Sequence, residues 1–367
     1  MANLFDYLNW RGDLTLDQVP LNDIDSLILS RLSYLPFDNI VPKSLRESIT
    51  IKEAGKRFLA SEEAREHVIL QEDIPLLQEI AASERFGPMH LLGYVNQIDE
   101  EAEKQFSAVI IQMSPDCHYV SYRGTDLTLV GWKEDFNMSF TTPVPAQEEA
   151  VRYFEGVGST VRGNFVLGGH SKGGNLAVYA AAFCSEKLQK RILAVYNNDG
   201  PGFDSAVLET AGYKNIKEKI KTFVPQSSVV GMLLQHEEEY FVIHSTQIGL
   251  MQHDLYSWEV VRDQFVHLDT VTDGSKFIDQ TLKTWVAALE PEQREQFVDA
   301  LFSIFEQTEA TSLKELTENW YTNARVILKS LRNMDDTMRQ TISETLRVLL
   351  KSARQNLAIP SPRARRF

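Results

Sequence analysis

The chain has 367 residues, 43% of them hydrophobic and 24% charged, ordinary values for a globular protein able to bury a large core. A net charge of −14 excludes nucleic acid as a main partner, because phosphate binding needs a basic field. Two cysteines, Cys117 and Cys184, exclude a disulfide framework; with no CxxC spacing they read as small buried hydrophobes.

The first residues lack the basic stretch and apolar run of a secretory signal. No apolar run approaches the roughly 18 to 20 residues that span a bilayer, so the expected location is cytoplasmic. Residues 1–90 are expected to be a mostly helical segment packing on the core. Helices are predicted to open at Thr50 and Ser61 and to run from Ile74 to Ala82, before Gly87-Pro88 breaks the pattern. Phe106 to Gln112 and His118 to Tyr122 form a predicted hairpin across Ser114-Pro115-Asp116. A helix follows from Pro145 to Gly156, a short buried strand from Asn164 to Leu167, and a helix from Lys172 to Phe183. Ile192 to Asn197, Ile220 to Val224 and Tyr240 to His244 are further strands. Strands alternating with helices predict an α/β fold over 91–273, a mainly parallel sheet flanked by helices.

From Gly274 the pattern is helical. Residues 274–358 are expected to be an all-helical C-terminal extension, serving as cap, lid or dimerisation element. Its apolar stripe from Leu313 to Leu349, mostly three or four apart, suits a core-facing or partner-facing helix pair. Residues 311–367 carry 11 Lys/Arg against 5 Asp/Glu, which makes contact with an anionic membrane surface the alternative. The basic tail 359–367 is expected to be disordered.

One stretch carries chemistry: Val166-Leu167-Gly168-Gly169-His170-Ser171-Lys172-Gly173-Gly174-Asn175. It fits neither a P-loop, which needs GxxxxGK and then Ser or Thr, nor the GxGxxG dinucleotide fingerprint. Gly169-His170-Ser171-Lys172-Gly173 fits GxSxG between a strand and a helix, the context in which a serine stands exposed on a strained turn. Glycines two residues either side relieve a clash with neighbouring backbone. The Lys172 N–H, at the helix start, can face a developing oxyanion. The Lys172 side chain reads as solvated on the helix surface.

This elbow, GHSKGGNLA, is similar to the GHSLGGALA of class 3 (fungal-type) lipases of the α/β-hydrolase fold. Val120-Ser121-Tyr122-Arg123-Gly124-Thr125, continuing to Trp132-Lys133-Glu134-Asp135, resembles their FRGT or FRGS strand end and Trp-x-x-Asp segment. Asn198-Asp199-Gly200-Pro201-Gly202-Phe203 resembles a stretch shared by a bacterial branch of lipase-like hydrolases. The lipase resemblance covers roughly residues 90 to 260. It implies that Thr125 pairs with the Lys172 N–H in an oxyanion hole, and that Arg123 and Asp135 brace that loop.

In α/β-hydrolases the order is serine, acid, histidine. His253, in Met251-Gln252-His253-Asp254-Leu255-Tyr256, resembles the lipase His-x-x-Tyr segment and is the expected base. His244, inside an apolar strand, is the alternative, while His236 beside Glu237 to Glu239 reads as solvated. His170 is expected to line the pocket. The acid departs from the family. Class 3 lipases place Asp after the strand corresponding to Ile220 to Val224, where this chain has Pro225-Gln226-Ser227-Ser228. Asp199, ending the strand that follows the nucleophile's helix, is the best substitute; a turn-capping role for it, or Asp204 as acid, stays open.

The expected function is therefore a serine hydrolase acting on a carboxylic ester, a lipid or lysophospholipid among the candidates, through an acyl-serine and with neither cofactor nor metal. Expected partners are the ester substrate, a membrane surface touched by the basic helices, and a second copy in a homodimer. The missing Asp after Val224 and the long helical extension support an alternative: a catalytically inactive hydrolase-fold binding or regulatory protein.

Overall fold

Consecutive apolar side chains point to opposite faces, so the apolar runs of the central strands bury both faces. The computed structural model describes residues 1–99, 104–125, 133–134, 137–138, 142–290, 293–294, 296–298, 340, 343–345, 347–348 and 350–351. Its strands are β1 (Ile49–Thr50), β2 (His90–Asp99), β3 (Lys104–Ser114), β4 (Cys117–Tyr122), β5 (Asn164–His170), β6 (Ile192–Asn198), β7 (Ile220–Pro225), β8 (Tyr240–Ile243), β9 (Val260–Val261), β10 (Gln264–Phe265) and β11 (His267–Leu268). Its helices are α1 (Leu4–Arg11), α2 (Asp23–Arg31), α3 (Ile51–Ala60), α4 (Glu62–Glu66), α5 (Asp73–Ala82), α6 (Pro145–Thr160), α7 (Lys172–Phe183), α8 (Glu186–Gln189), α9 (Ser205–Leu208), α10 (Ala211–Ile216) and α11 (Asp273–Ala287).

Nine strands form one mixed sheet in the order β1 to β8, then β11. The run β4–β5–β6–β7–β8 is parallel. Strands β1 to β4 pair antiparallel on one flank, and β11 pairs antiparallel with β8 on the other. This is an α/β fold. The parallel strands follow chain order, so crossovers of one hand put α6, α7 and α10 on the same face. There Phe106, Ala108, Ile110, Phe165 and Leu167 meet Ala150, Phe154, Leu176 and Tyr213. The intervening residues Val109, Ile111, Tyr119 and Val166 point to the opposite face, covered by α1, α2, α3 and α5 through Leu4, Ile28, Phe58 and Leu77. Each large apolar side chain buried this way stabilises the fold by about 1.5 to 3 kcal/mol.

Strand β2, at the start of the α/β region, was not among the strands expected. Its ladder with β3 shifts register between Leu92 and Val95, and Gly93 there has φ +62°. The bulge erases the alternation by which a strand is recognised. Asn3 and Asn22 cap α1 and α2, each in a reciprocal pair with the Asp three residues on. The Asp25 carboxylate of the second cap also binds Arg85, both side chains fully buried. Arg85 in turn donates to the carbonyls of Leu14, Val19 and Pro20, fixing the loop before α2.

The chain divides into two compact units: Met1–Asp126 with Thr142–Val271, and Leu127–Thr141 with Thr272–Phe367. The first holds the sheet and the N-terminal helices. In the second, Trp285 of α11 stacks edge-on against Phe297, ring centres 5.7 Å apart, and its indole N–H donates to the Thr345 carbonyl at 3.0 Å. The stripe residues from Leu313 to Leu349, the tail 359–367 and Asp135 lie outside the described residues. Cys184 is buried and Cys117 half-buried; both are free thiols.

Candidate active site

Strand β5 ends at His170 and α7 begins at Lys172, so a single residue makes the turn. Ser171 has φ 58° and ψ −136°, a backbone state that a residue with a Cβ adopts only under strain. Its N–H donates to the Asn198 carbonyl at 2.9 Å, and its carbonyl accepts from the Gly174 N–H at 2.9 Å. The flanking glycines are required by space. A Cβ on Gly169 would fall 2.2 Å from the Gly173 carbonyl carbon, and one on Gly173 would fall 2.2 Å from the Tyr122 oxygen.

The register of β5 with β6 sets His170 beside Asn198, which brings the residue just past β6, Asp199, level with Ser171. Asp199 is fully buried, sits at φ 52°, and donates its N–H to the Phe223 carbonyl of β7. Its carboxylate accepts two hydrogen bonds: the Ser228 hydroxyl at 2.5 Å on Oδ1 and His253 Nδ1–H at 2.6 Å on Oδ2. Two short charge-assisted bonds offset much of the cost of burying the carboxylate. A carboxylate at Nδ1 keeps the proton there and leaves Nε2 as the basic nitrogen of His253. The ring of His253 is 28% exposed, open enough to meet a ligand.

His253 stands on the turn Gly249–His253, and the elbow itself holds it. His170 Nε2–H donates to the His253 carbonyl at 2.8 Å, and the two rings lie 4.5 Å apart at 34°. Burial, then the neighbouring His253 and Arg31, push His170 well below the usual imidazole range, so it stays neutral. The structure thus brings Asp199 and His253 into direct contact, and joins His253 to Ser171 through the residue that precedes the serine.

Thr125 follows Gly124, which packs on the elbow. A Cβ on Gly124 would lie 2.5 Å from the His170 carbonyl oxygen and 3.1 Å from the Ser171 Cβ. Arg123 is buried beside it, its N–H on the Ser107 carbonyl at 2.9 Å. Lys172 differs from expectation. Its side chain is buried, with Nζ 3.1 Å from Gln105 Oε1 and 3.3 Å from the Gln105 carbonyl. The first residue of α7 is wedged against the sheet, and its long stem runs toward β3 rather than to water.

The other titratable groups have partners elsewhere. His236, expected to be solvated, has a buried side chain, with Nδ1 on Glu238 at 2.8 Å and Nε2 on the Gly231 carbonyl at 2.7 Å. His244, just past β8, pairs with Glu259 at 2.6 Å. Asp204 caps α9 and Asp254 caps the turn Leu255–Ser257. Sequence reasoning missed Ser228 and Tyr34, whose hydroxyl donates to the His170 carbonyl at 3.0 Å. Ser228 sits after β7, where the resembling lipases carry their Asp, and that position was its signal. Among the described residues no group of three or more His, Cys, Asp or Glu is placed to hold a metal, and no helix is long and apolar enough to cross a membrane.

The family model described as Mbeg1-like matches residues 80–303. The chain belongs to the Mbeg1-like family. The matched span holds Ser171, Asp199 and His253, and leaves α1 to α4 outside. No curated protein matches the chain. Among solved structures it is similar to the Rhizomucor miehei lipase propeptide complex, at 16% identity and TM-score 0.29, over 42% of this chain and 57% of that one. It is also similar to M37 lipase, at 13% identity and TM-score 0.35, over 56% of this chain and 68% of that one. A fungal lipase–inhibitor complex aligns at 12% identity and TM-score 0.32, over 55% of this chain and 83% of that one. The chain thus spans little more than half of the Rhizomucor miehei lipase.

Proposed function

We propose that this Mbeg1-like chain is a serine hydrolase of the α/β-hydrolase type that cleaves a carboxylic ester through an acyl-serine, using Ser171, His253 and Asp199. The observation that carries this reading is the Asp199–His253 contact of 2.6 Å, together with the strained backbone of Ser171 at φ 58°, next to the His170 that bonds the His253 carbonyl. Serine is a weak nucleophile at neutral pH. His253 Nε2 takes its proton during attack and then passes it to the leaving alcohol. Asp199 keeps Nδ1 protonated and stabilises the imidazolium that forms. The oxyanion rests on the N–H groups of Lys172 and Thr125, for which the packing of Gly124 on Ser171 speaks. Preorganised donors of this kind contribute about 3 to 4 kcal/mol each to the transition state. Water entering by the same route releases the acid. Resemblance to lipases favours an apolar acyl ester, a lipid or lysophospholipid.

The non-catalytic alternative rested on the carboxylate missing after β7. Asp199, bonded both to His253 and to the Ser228 that stands at that place, speaks against it. The test is covalent labelling of the full chain with a fluorophosphonate. Wild type is expected to label, Ser171→Ala not at all, and His253→Ala far more slowly. A folded wild type that stays unlabelled, with and without detergent, would sink the proposal.

A further inference from the structure

The N-terminal helices reach the histidine turn through buried polar contacts. Arg31, the last residue of α2, pairs with both oxygens of Asp73, the first residue of α5, at 2.5 Å (Nε–Oδ1) and 2.7 Å (Nη2–Oδ2). Both side chains are 3% exposed or less. Asp73 Oδ1 also accepts the Tyr256 hydroxyl at 2.7 Å, and Tyr256 lies three residues beyond His253. On its other side, the Arg31 guanidinium lies 4.0 Å from the centre of the Tyr34 ring. The Tyr34 hydroxyl donates to the His170 carbonyl, and His170 closes the circuit on the carbonyl of His253. Two arms leave Arg31: one ends on Tyr256, three residues past His253, and the other on the His253 carbonyl.

A buried ion pair is weak evidence for stability, since desolvating two charges costs about as much as their attraction returns. A planar guanidinium in a bidentate pair does fix direction, because both partners lock one another's rotamers. A general base needs that: displacement by about 1 Å can cost a hundredfold in rate. We propose that Arg31, Asp73, Tyr34 and Tyr256 are positioning residues for His253, so that the N-terminal helices are part of the catalytic apparatus. The inference rests on the reading of His253 as the base. The His170 arm has a second consequence. Its Nε2 faces a carbonyl and so carries the proton, and the ring is neutral, so no second positive charge opposes an imidazolium 4.5 Å away.

Tyr256→Phe is the clean test. Phe5 stacks on the Tyr256 ring at 5.8 Å and 14°, and phenylalanine keeps that stack while losing only the hydroxyl. Tyr34→Phe tests the other arm. For each variant of the full chain, the maximal rate of fluorophosphonate inactivation and its half-saturating concentration are measured, with the labelled fraction from intact mass and thermal unfolding in parallel. Each maximal rate is expected to fall about tenfold, the size of one hydrogen bond to a held group, at unchanged half-saturation. A merely structural role would lower the melting temperature and the labelled fraction but leave the rate of the labelled molecules alone. Maximal rates within about twofold of wild type in both variants would overturn the inference while leaving the hydrolase reading intact. A wild type that never labels would remove both.

Discussion

Asp199→Asn isolates the charge of the acid from its shape. Asparagine fills the same buried space at the end of β6, and its carbonyl oxygen can still face His253. The lost quantity is the attraction between the carboxylate and the imidazolium that forms as the serine is deprotonated. Two unit charges about 4 Å apart at an effective dielectric near 20 attract by about 4 kcal/mol, the appropriate scale for a site at the protein edge. With His253 28% exposed, solvent trims this only modestly. The expected outcome is a fall of about a thousandfold in kcat on a soluble p-nitrophenyl ester, with KM nearly unchanged, because the imidazolium exists only beyond the ground state. Ser228→Ala, which removes one neutral donor from Asp199, is expected to cost only about tenfold in the same assay. Circular dichroism and thermal unfolding establish that the variants fold. If Asp199→Asn keeps its rate within a few-fold while His253→Ala loses activity, the carboxylate is not the partner of the base, and the electrostatic reasoning fails with it.

Two further outcomes follow from buried groups away from the serine. Burial alone would raise the Glu238 carboxyl, but hydrogen bonds from His236, Tyr213 and Thr222 outweigh it and hold the group at about 2 against an ordinary 4.5. A depressed acid stabilises the fold above its unfolded value and loses that contribution as pH falls through its folded value. Wild type is therefore expected to lose about 3 kcal/mol more than Glu238→Gln between pH 4.5 and 2, read as the difference in urea midpoints. Parallel curves for the two proteins would refute it. Gly124→Ala forces a Cβ against the His170 carbonyl at 2.5 Å and is expected to lower both the melting temperature and the labelling of Ser171. A stable, fully labelled variant would show that the turn after β4 has room the structure denies it.

What was legible in the sequence was what is locally determined. Helix α7 begins at Lys172 and ends at Phe183, as its glycine–alanine pattern suggests, because a helix packed flat on the sheet between two neighbouring helices needs small side chains along its length. The elbow was legible because its steric demand falls on residues within two positions of Ser171. The parallel strands were legible as short apolar runs between helices. Strand β2 was hidden by a bulge, and β9, β10 and β11 are two residues long, below any periodicity. The fate of Lys172 was out of reach, since its partner Gln105 is 67 residues away and only the register of β3, β4 and β5 brings them together. His236 misled because three glutamates follow it closely, yet one of them turns inward and buries the pair.

The acid carries the general lesson. A catalytic histidine arriving on a loop can be met from either of two neighbouring strand ends, because β6 and β7 are paired in register and Asn198 stands opposite Phe223. The residue after Asn198 and the loop after Pro225 then flank one point in space, and their side chains already touch: the Ser228 hydroxyl lies 2.5 Å from Asp199. Moving the carboxylate from one strand end to the other therefore displaces it by about one side chain and leaves the imidazole where it was. What such a move requires is a hydroxyl or amide at the vacated place, to satisfy the second oxygen of a carboxylate now fully buried. Ser228 meets that requirement, and its own oxygen accepts from the Gly231 N–H at 3.0 Å, so the hydroxyl proton is directed at Asp199 rather than shared. A motif search that fixes the acid to one strand passes over Asp199, whereas its hydrogen bonds to His253 and Ser228 are what support the proposed triad.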